Sequence, residues 1–219
     1  MLWIVIPAYN EERVIGSVLE ELSGRNVVVV DDCSTDTTKL VASKYQVHLL
    51  SHPVNLGQGA ALQTGITYAL LNGAEKIVTF DADGQHSVSD IEKLIDALTN
   101  YDVALGSRFL ESGSAENLPT SRRVLLKCAA LYTRASTGLT LTDTHNGLRA
   151  LSRHAAEKIV ITQNRMAHAT QVLQLIAYHK LSYIEVPVNI KYTEYSLAKG
   201  QKMSNSLNIL WDSVTEIFR

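Results

Sequence analysis

Three short apolar runs, each cut off by an acid-bearing polar turn, constrain this chain more than anything else in it. Leu2-Trp3-Ile4-Val5-Ile6 runs into Pro7-Ala8-Tyr9-Asn10-Glu11-Glu12, and Val27-Val28-Val29-Val30 into Asp31-Asp32-Cys33-Ser34-Thr35-Asp36. Ile77-Val78-Thr79-Phe80 then runs into Asp81-Ala82-Asp83-Gly84-Gln85-His86. Unbroken apolar runs of this length are the pattern of strands buried on both faces, hence of a mostly parallel sheet covered by helices. Ligands of such sheets gather outside the strands' C-terminal ends, so the three acidic turns belong on one edge. Each alone reads as an ordinary helix cap or turn acid; together they favour a nucleotide site.

Asp81 and Asp83 carry the chemistry of that edge. Two carboxylates flanking a small Ala82, with the chain turning at Gly84, can converge on one cation. Hard oxygen ligands of this kind suit Mg²⁺ or Mn²⁺, which keeps positions open for the phosphates of a substrate.

The remaining organisation follows from local signals. Asn10 is the expected N-cap of the first helix, with Glu11 and Glu12 in its first turn; Ser34, Thr35 or Asp36 is expected to cap the next, through Lys39-Leu40-Val41. A strand over 47–50 leads to Asn55-Leu56-Gly57-Gln58-Gly59 and a helix ending about Leu71. Its two glycines permit a close backbone approach and a helix N-terminus facing an anion, or simply a tight turn. A helix over 89–99 precedes a strand over 103–105, and 111–117 reads as a mobile loop. The helical stretch 122–136 carries Arg122, Arg123, Lys127 and Arg134, either a solvated face or a surface for anionic lipid. A strand over 182–188 contains Pro187, which points to a sheet edge or strand end.

Composition enters as a set of exclusions. A chain of 219 residues, 46% hydrophobic, can bury the core of one α/β domain, and a net charge of −2 gives no nucleic-acid footprint. Cys33 and Cys128 are too few for a disulfide framework and lack zinc-ligand spacing. No stretch approaches the roughly 20 apolar residues of a membrane span, and the N-terminus lacks a basic leader region. The expected location is the cytoplasm, with peripheral attachment at the inner face of the membrane as the further option.

The motifs, taken in order, resemble family 2 glycosyltransferases of GT-A fold. They are Val5-Ile6-Pro7-Ala8-Tyr9-Asn10-Glu11-Glu12, Val30-Asp31-Asp32-Cys33-Ser34-Thr35-Asp36, Asn55-Leu56-Gly57-Gln58-Gly59-Ala60-Ala61 and Phe80-Asp81-Ala82-Asp83-Gly84-Gln85-His86. The similarity continues through Gly106-Ser107-Arg108, Asp143-Thr144-His145-Asn146-Gly147-Leu148-Arg149-Ala150 and Glu185-Val186-Pro187-Val188. The branch it resembles contains dolichyl-phosphate mannose synthase and bacterial polyprenyl-phosphate sugar transferases. The resemblance implies one Rossmann-like domain over 1–219. Its nucleotide-sugar half is 1–108, its acceptor half 109–202, and a C-terminal amphipathic helix occupies 203–219.

The resemblance also implies roles. A nucleotide-diphosphate sugar, with uridine or guanosine as base, is expected at Pro7, Ala8, Tyr9, Glu11, Val30, Asp32, Asn55, Gly59, Asp81, Ala82, Asp83, Arg108 and Lys199. A Mg²⁺ or Mn²⁺ ion is expected at Asp83 and Gln85 with Asp81, and Asp81, Asp83 and Asp143 are the catalytic candidates. Transfer should invert the anomeric centre. Many members place a carboxylate after Asp143 to deprotonate an acceptor hydroxyl; here that stretch reads Arg165-Met166-Ala167-His168-Ala169-Thr170-Gln171. A phosphate monoester needs no such base, being ionised near neutrality with a second pKa of about 6. The missing acid fits a polyprenyl-phosphate acceptor, although His168 is itself a candidate base.

Two departures mark the chain. Gln58 stands where relatives often have Lys, and Lys199-Gly200-Gln201-Lys202 matches the branch's glycine-centred loop only loosely, with Tyr192 and Tyr195 on part of that ground. The tail carries an apolar stripe of Leu207, Leu210, Trp211, Val214, Ile217 and Phe218, for packing on its own domain, on a second copy in a homodimer or on a small membrane partner. Three readings stay open beside lipid phosphate transfer: transfer to a saccharide or protein hydroxyl, a nucleotidyltransferase, and an inactive nucleotide-sugar-binding relative. The second would normally show a basic glycine-rich loop after the first strand, which Pro7-Ala8-Tyr9-Asn10-Glu11 is not.

Overall fold

The computed structural model describes residues 1–116, 120–165 and 167–192. The elements in chain order are β1 (Leu2–Ala8), α1 (Ile15–Glu21), β2 (Val27–Asp31), α2 (Thr38–Ala42), β3 (His48–Ser51), α3 (Gln58–Leu71), β4 (Lys76–Thr79) and α4 (Ser89–Ala97). There follow β5 (Val103–Ser107), β6 (Ser114–Glu116), α5 (Thr120–Thr137), β7 (Arg149–Ser152), α6 (Arg153–Lys158), α7 (His168–Tyr178), β8 (Tyr183–Pro187) and β9 (Asn189–Lys191).

Seven strands form one sheet in the order β3-β2-β1-β4-β7-β5-β8. All pairings are parallel except those of β7, which runs antiparallel between β4 and β5. Side chains alternate across each strand. Val5, Val28, Val30, Ile77 and Leu105 pack under α3, α6 and α7 with Ile66, Ala155 and Leu173, whereas Ile4, Ile6, Val29, Val78 and Ala104 pack against Ile15, Leu19, Ile91 and Leu94 of α1 and α4. Full burial of each Val, Leu or Ile among these stabilises by about 1.5–3 kcal/mol. A helix on each face explains why the strands read as unbroken apolar runs. Gly65 is needed for this packing: a Cβ there would lie 2.3 Å from Val5 Cγ1.

β7 decides where the site lies. Because it returns antiparallel, the loop preceding it, 143–148, crosses the same edge that receives the turns after β1, β2, β4 and β5. Pro187 ends the outermost strand β8, as its missing amide requires.

Two local expectations are corrected. Asn10 does not cap α1, which begins five residues later at Ile15. It adopts a left-handed φ of 55°, and its Oδ1 accepts from the Thr35 amide at 2.8 Å while Glu12 accepts from Thr37; the polar side chain fastens one loop to the next. The segment 111–117 is not simply a loop, because Ser114–Glu116 pairs with Asn189–Lys191 in a small second sheet. At α2 the N-cap position is Thr37 without a side-chain cap bond, and Asp36, one residue earlier, accepts from the Thr38 amide at 2.9 Å. Tyr195, Lys199, Lys202 and the C-terminal stripe lie outside the described residues. Among the described residues no helix is long and apolar enough to cross a membrane.

Candidate active site

β2, β1 and β4 are neighbours, so their three turns meet on one edge. The ends of β1 and β2 are stitched directly: Pro7 pairs with Val30, Ala8 with Asp31, and the Asp32 amide donates to the Ala8 carbonyl at 2.8 Å. Pro7, Ala8, Val30 and Asp32 are buried, Glu11 is 8% exposed, and Tyr9 stands out from the edge. Glu11 is anchored through its amide, which donates to Thr38 Oγ1 at 2.7 Å.

The loop before α3 answers the question its glycines raise. The anion it faces is the chain's own Asp32, whose carboxylate accepts from the amides of Leu56 at 2.9 Å and Gly57 at 2.7 Å. His52 Nδ1 adds a contact at 2.7 Å and reaches Thr64 through Nε2 at 3.0 Å, while Asn55 donates to the Asp32 carbonyl at 3.1 Å. The close approach is to the chain as well: a Cβ on Gly59 would lie 2.0 Å from the Gln163 carbonyl oxygen. Gly57 also needs its φ of 102°, which side-chain-bearing residues resist.

After β4 the two acids are treated differently. Asp81 is held on both oxygens, by Gln58 Nε2 at 2.9 Å and His86 Nε2 at 3.0 Å. Gly147 packs against it so closely that a Cβ would lie 2.1 Å from Asp81 Oδ2, and Thr79 fixes Gly147 by donating to its carbonyl at 2.7 Å. Burial works to raise the Asp81 pKa, but the hydrogen bond and charge of His86, with His168 and Arg149 beyond, lower it below the usual carboxylate range. Asp83 accepts one bond, from the Gln85 amide at 3.0 Å to Oδ1, and Oδ2 has no partner among the described residues. Burial and then the negative charge of Asp81 push its pKa up to about 6. Asp83, Gly84 and His86 line a cavity of about 310 Å³ with Val14, Ser17 and Val18, and none of Pro7, Ala8, Tyr9 or Asp32 lines it.

Arg108 and Asp143 find each other. Arg108 Nε and Nη2 donate to the two Asp143 oxygens at 2.5 and 3.1 Å, the Arg108 amide adds a third bond at 3.2 Å, and Nη1 donates to the Tyr192 hydroxyl. Asp143 raises the Arg108 pKa against the opposing pull of burial. Glu185 braces the same loop, accepting from the Thr142 and Asp143 amides at 2.9 and 3.0 Å. The acid turn is tied in through β9: the Lys191 amide donates to the Gln85 carbonyl at 3.1 Å, one residue before Tyr192.

Sequence reasoning passed over Gln58, His52, His86 and Arg149 as site residues. Arg149 is buried, donates to the Asn146 carbonyl at 3.0 Å, and burial brings its pKa down to about 10 although Asp81 and Asp143 favour its charge. A charged residue opening an otherwise apolar strand was the available signal. His168 is also buried, with Nδ1 2.8 Å from the Arg165 carbonyl, and burial lowers its pKa to about 4. Of the four buried side-chain polar atoms without a partner among the described residues, Asp31 Oδ1, His86 Nδ1 and Asn146 Nδ2 lie in the turns of this edge. Native interiors seldom leave such groups unsatisfied outside functional sites.

The donor set fits a hard divalent cation: an unpartnered carboxylate oxygen on Asp83, a second carboxylate beside it, and the amide oxygen of Gln85 in the same turn. No group of three or more His, Cys, Asp or Glu among the described residues could hold a metal on its own, so a substrate would have to supply further ligands.

A parallel sheet with one reversed strand, bearing this acid turn at the edge, is the GT-A glycosyltransferase fold. The family model described as glycosyl transferase family 2 matches residues 3–160, and the chain belongs to that family: it is a glycosyltransferase. An uncharacterized protein of Methanocaldococcus jannaschii is 37% identical, with 98% of this chain and 91% of that protein covered. The UDP-N-acetylglucosamine–dolichyl-phosphate N-acetylglucosaminyltransferase of Methanococcus voltae is 31% identical over 96% of this chain and 94% of its own length. The undecaprenyl-phosphate mannosyltransferase of Micrococcus luteus is 30% identical, at 98% and 91% coverage. Among solved structures, glucosyl-3-phosphoglycerate synthase from Mycobacterium tuberculosis, in complex with Mn²⁺, UDP and phosphoglyceric acid, superposes with a TM-score of 0.70. It covers 97% of this chain and 78% of that one at 18% identity, a likeness of fold.

Proposed function

We propose that this chain moves a sugar from a UDP- or GDP-sugar to polyprenyl phosphate, using Mg²⁺ or Mn²⁺ and inverting the anomeric centre. The observation that carries the acceptor is the 165–171 stretch, which holds no carboxylate, together with His168 inside it. Burial keeps that histidine uncharged at neutral pH, and taking a proton would place a cation beside Arg149, whose charge already opposes it. A lipid phosphate arrives ionised and asks for no base. Relatives at 30–31% identity spanning at least nine-tenths of the chain, named for dolichyl- or undecaprenyl-phosphate, point the same way.

The donor would lie along the turns after β1, β2 and β4, its base near Ala8 and Tyr9 and its diphosphate near Asp83. When bound, the cation offsets charge building on the departing nucleotide diphosphate. Asp83 would hold it with Gln85, and Asp81 stands as the neighbouring acid. Arg108 and Asp143, locked to each other, shape the wall on the β5 side. Because polyprenyl phosphate resides in a membrane, the enzyme would work at the cytoplasmic face.

The test is an incubation with Mn²⁺, a panel of UDP- and GDP-sugars, and either polyprenyl phosphate or a saccharide acceptor. A lipid-linked sugar that disappears with EDTA is the expected product. Transfer only to the saccharide, or turnover indifferent to EDTA, overturns the acceptor or the metal respectively.

A further inference from the structure

Topology sets the order in which the parts of a donor meet the edge. β2, β1, β4 and β7 are successive neighbours, each about 4.8 Å from the next. A nucleoside over the turns of β1 and β2, with its diphosphate at the turn of β4, brings the sugar over the loop 143–148 that enters β7. That loop holds polar groups the fold does not use. Asn146 is 3% exposed; its Oδ1 accepts from the Leu148 amide at 3.0 Å, but its Nδ2 has no partner among the described residues. Arg149 is buried and makes no ion pair among the described residues. Its Nε donates to the Asn146 carbonyl at 3.0 Å, which sets guanidinium and amide side by side.

His168, at the start of α7, completes the set. Its Nδ1 lies 2.8 Å from the Arg165 carbonyl, which can only accept, so Nδ1 carries the proton. Burial keeps the ring uncharged at neutral pH, and Asp81, Arg149 and His145 lie near enough for their charges to act on it. Nε2 is therefore a pure acceptor, with no hydrogen-bond partner among the described residues. The cluster offers idle donors on one side and an idle acceptor on the other.

We infer that Asn146, Arg149 and His168 read the transferred sugar, the amide and guanidinium by donating to it and the imidazole by accepting from it. The inference rests on the donor assigned under the proposed function and adds what the sugar must carry. A hydroxyl or an acetamido group both donates and accepts, and so satisfies both sides. A phosphate monoester ionised near neutrality offers acceptors alone, so His168 is matched to the sugar and not to the acceptor's phosphate. Asp81 and Asp143 already favour the charge on Arg149, which suits the cluster to a neutral ring better than to a further anion. A ligand that satisfies a buried idle donor is favoured over one that leaves it idle.

The experiment is calorimetric titration with Mn²⁺ present. Its probe is the tightest binder from a panel of UDP- and GDP-linked hexoses and N-acetylhexosamines, with analogues in which each ring hydroxyl or acetamido group is replaced in turn by hydrogen. Wild type should lose about tenfold or more in affinity when the group facing the cluster is removed. His168→Phe should bind the intact donor about tenfold more weakly and no longer tell it from that analogue, while UDP or GDP alone binds as to wild type. Asn146→Asp keeps the acceptor for the Leu148 amide and removes the idle donor, so it should likewise erase discrimination at one ring position with the thermal midpoint held. A merely structural role would weaken every analogue alike and leave the discrimination standing. The inference is overturned if wild type binds all analogues equally, if both variants keep the wild-type pattern, or if plain UDP and GDP weaken as much as the donor. Should His168→Phe fail to fold, Asn146→Asp must erase discrimination by itself or the inference falls. A chain that discriminates in this way yet transfers nothing to polyprenyl phosphate keeps the inference and sinks the proposed acceptor; one that binds no panel member sinks both.

Discussion

The acid turn after β4 and the Arg108–Asp143 pair after β5 share one sheet edge and are built in opposite ways. The first is centred on one turn, 81 to 86, with Gln58 reaching in from α3, and leaves a carboxylate oxygen of Asp83 open. The second joins residues 35 and 84 positions apart and leaves both charges enclosed, with side-chain exposures of 6% for Arg108 and 0% for Asp143. An open charge in a half-buried turn is poised to meet a ligand. A closed bidentate pair has already met its partner and serves to fix geometry. On this edge the acid left open after β4 can take a ligand without first giving up a bond, whereas the pair after β5 would have to break one.

The largest effect expected from breaking that contrast is at Asp83. Asp83→Ala removes the open oxygen without touching the sheet, so turnover should drop by roughly a thousandfold, about 4 kcal/mol in the barrier, with the unfolding midpoint at neutral pH unmoved or raised. Steady-state assays paired with thermal melts check this; a variant retaining a tenth of wild-type kcat would mean the open acid is not the metal's anchor.

Asp143 should behave the other way, failing through the fold. Asp143→Ala leaves the Arg108 guanidinium buried beside a single hydroxyl, and breaking a buried pair from one side costs about 3–5 kcal/mol. Asp143→Asn, which keeps an acceptor, should cost less. Urea unfolding at constant slope measures both, and a loss below 1 kcal/mol for the alanine variant would show the pair to be less enclosed than its exposure indicates.

Gly59 tests the contact that carries the donor edge across to the stretch before α7. Gly59→Ala drives a Cβ against the Gln163 carbonyl at 2.0 Å, and backbone cannot yield as a side-chain tip does. A destabilisation of about 1–3 kcal/mol is expected, with UDP affinity weakened because Gly57 and Asp32 shift with the loop. Unchanged stability together with unchanged UDP binding would remove that glycine from any role in the site.

What the sequence revealed follows the same division. The apolar runs of β1, β2 and β4 and their acidic turns were legible because strand burial and turn chemistry are local properties. Asn10 misled because a helix cap and a left-handed turn asparagine look alike until the loop that claims the side chain, at Thr35, is known. The strand at Ser114–Glu116 was hidden because three residues carry no period and their partner lies near residue 190. The pairing of Arg108 with Asp143 was not legible, since it depends on β7 running backwards between β4 and β5, a long-range fact no spacing encodes. Gln58 stands out in the sequence only as a departure from the Lys of relatives; its 2.9 Å bond to Asp81 is a contact between elements that spacing does not encode.

The smallest expected effect sharpens the contrast through pH. Burial and the charge of Asp81 set the Asp83 pKa at about 6, above its unfolded value of 3.8. A raised folded value means the protonated carboxyl is the better tolerated form in the fold. Its stabilising contribution is therefore complete below the unfolded value and is lost as pH rises through about 6. Without metal, acidification from pH 7 towards 4 should on this group's account strengthen the fold. With metal the sign reverses, because Asp83 must shed its proton to bind: Mn²⁺ affinity in the presence of UDP should be flat above pH 7 and fall about tenfold per unit below pH 6. Asp83→Asn should abolish that pH dependence, and Asp143→Asn should leave it in place, since Asp143 is already paired. If the Asp143 variant flattened the profile as well, the two halves of the edge would be electrostatically one site, and the distinction between an open acid and a closed pair would fail.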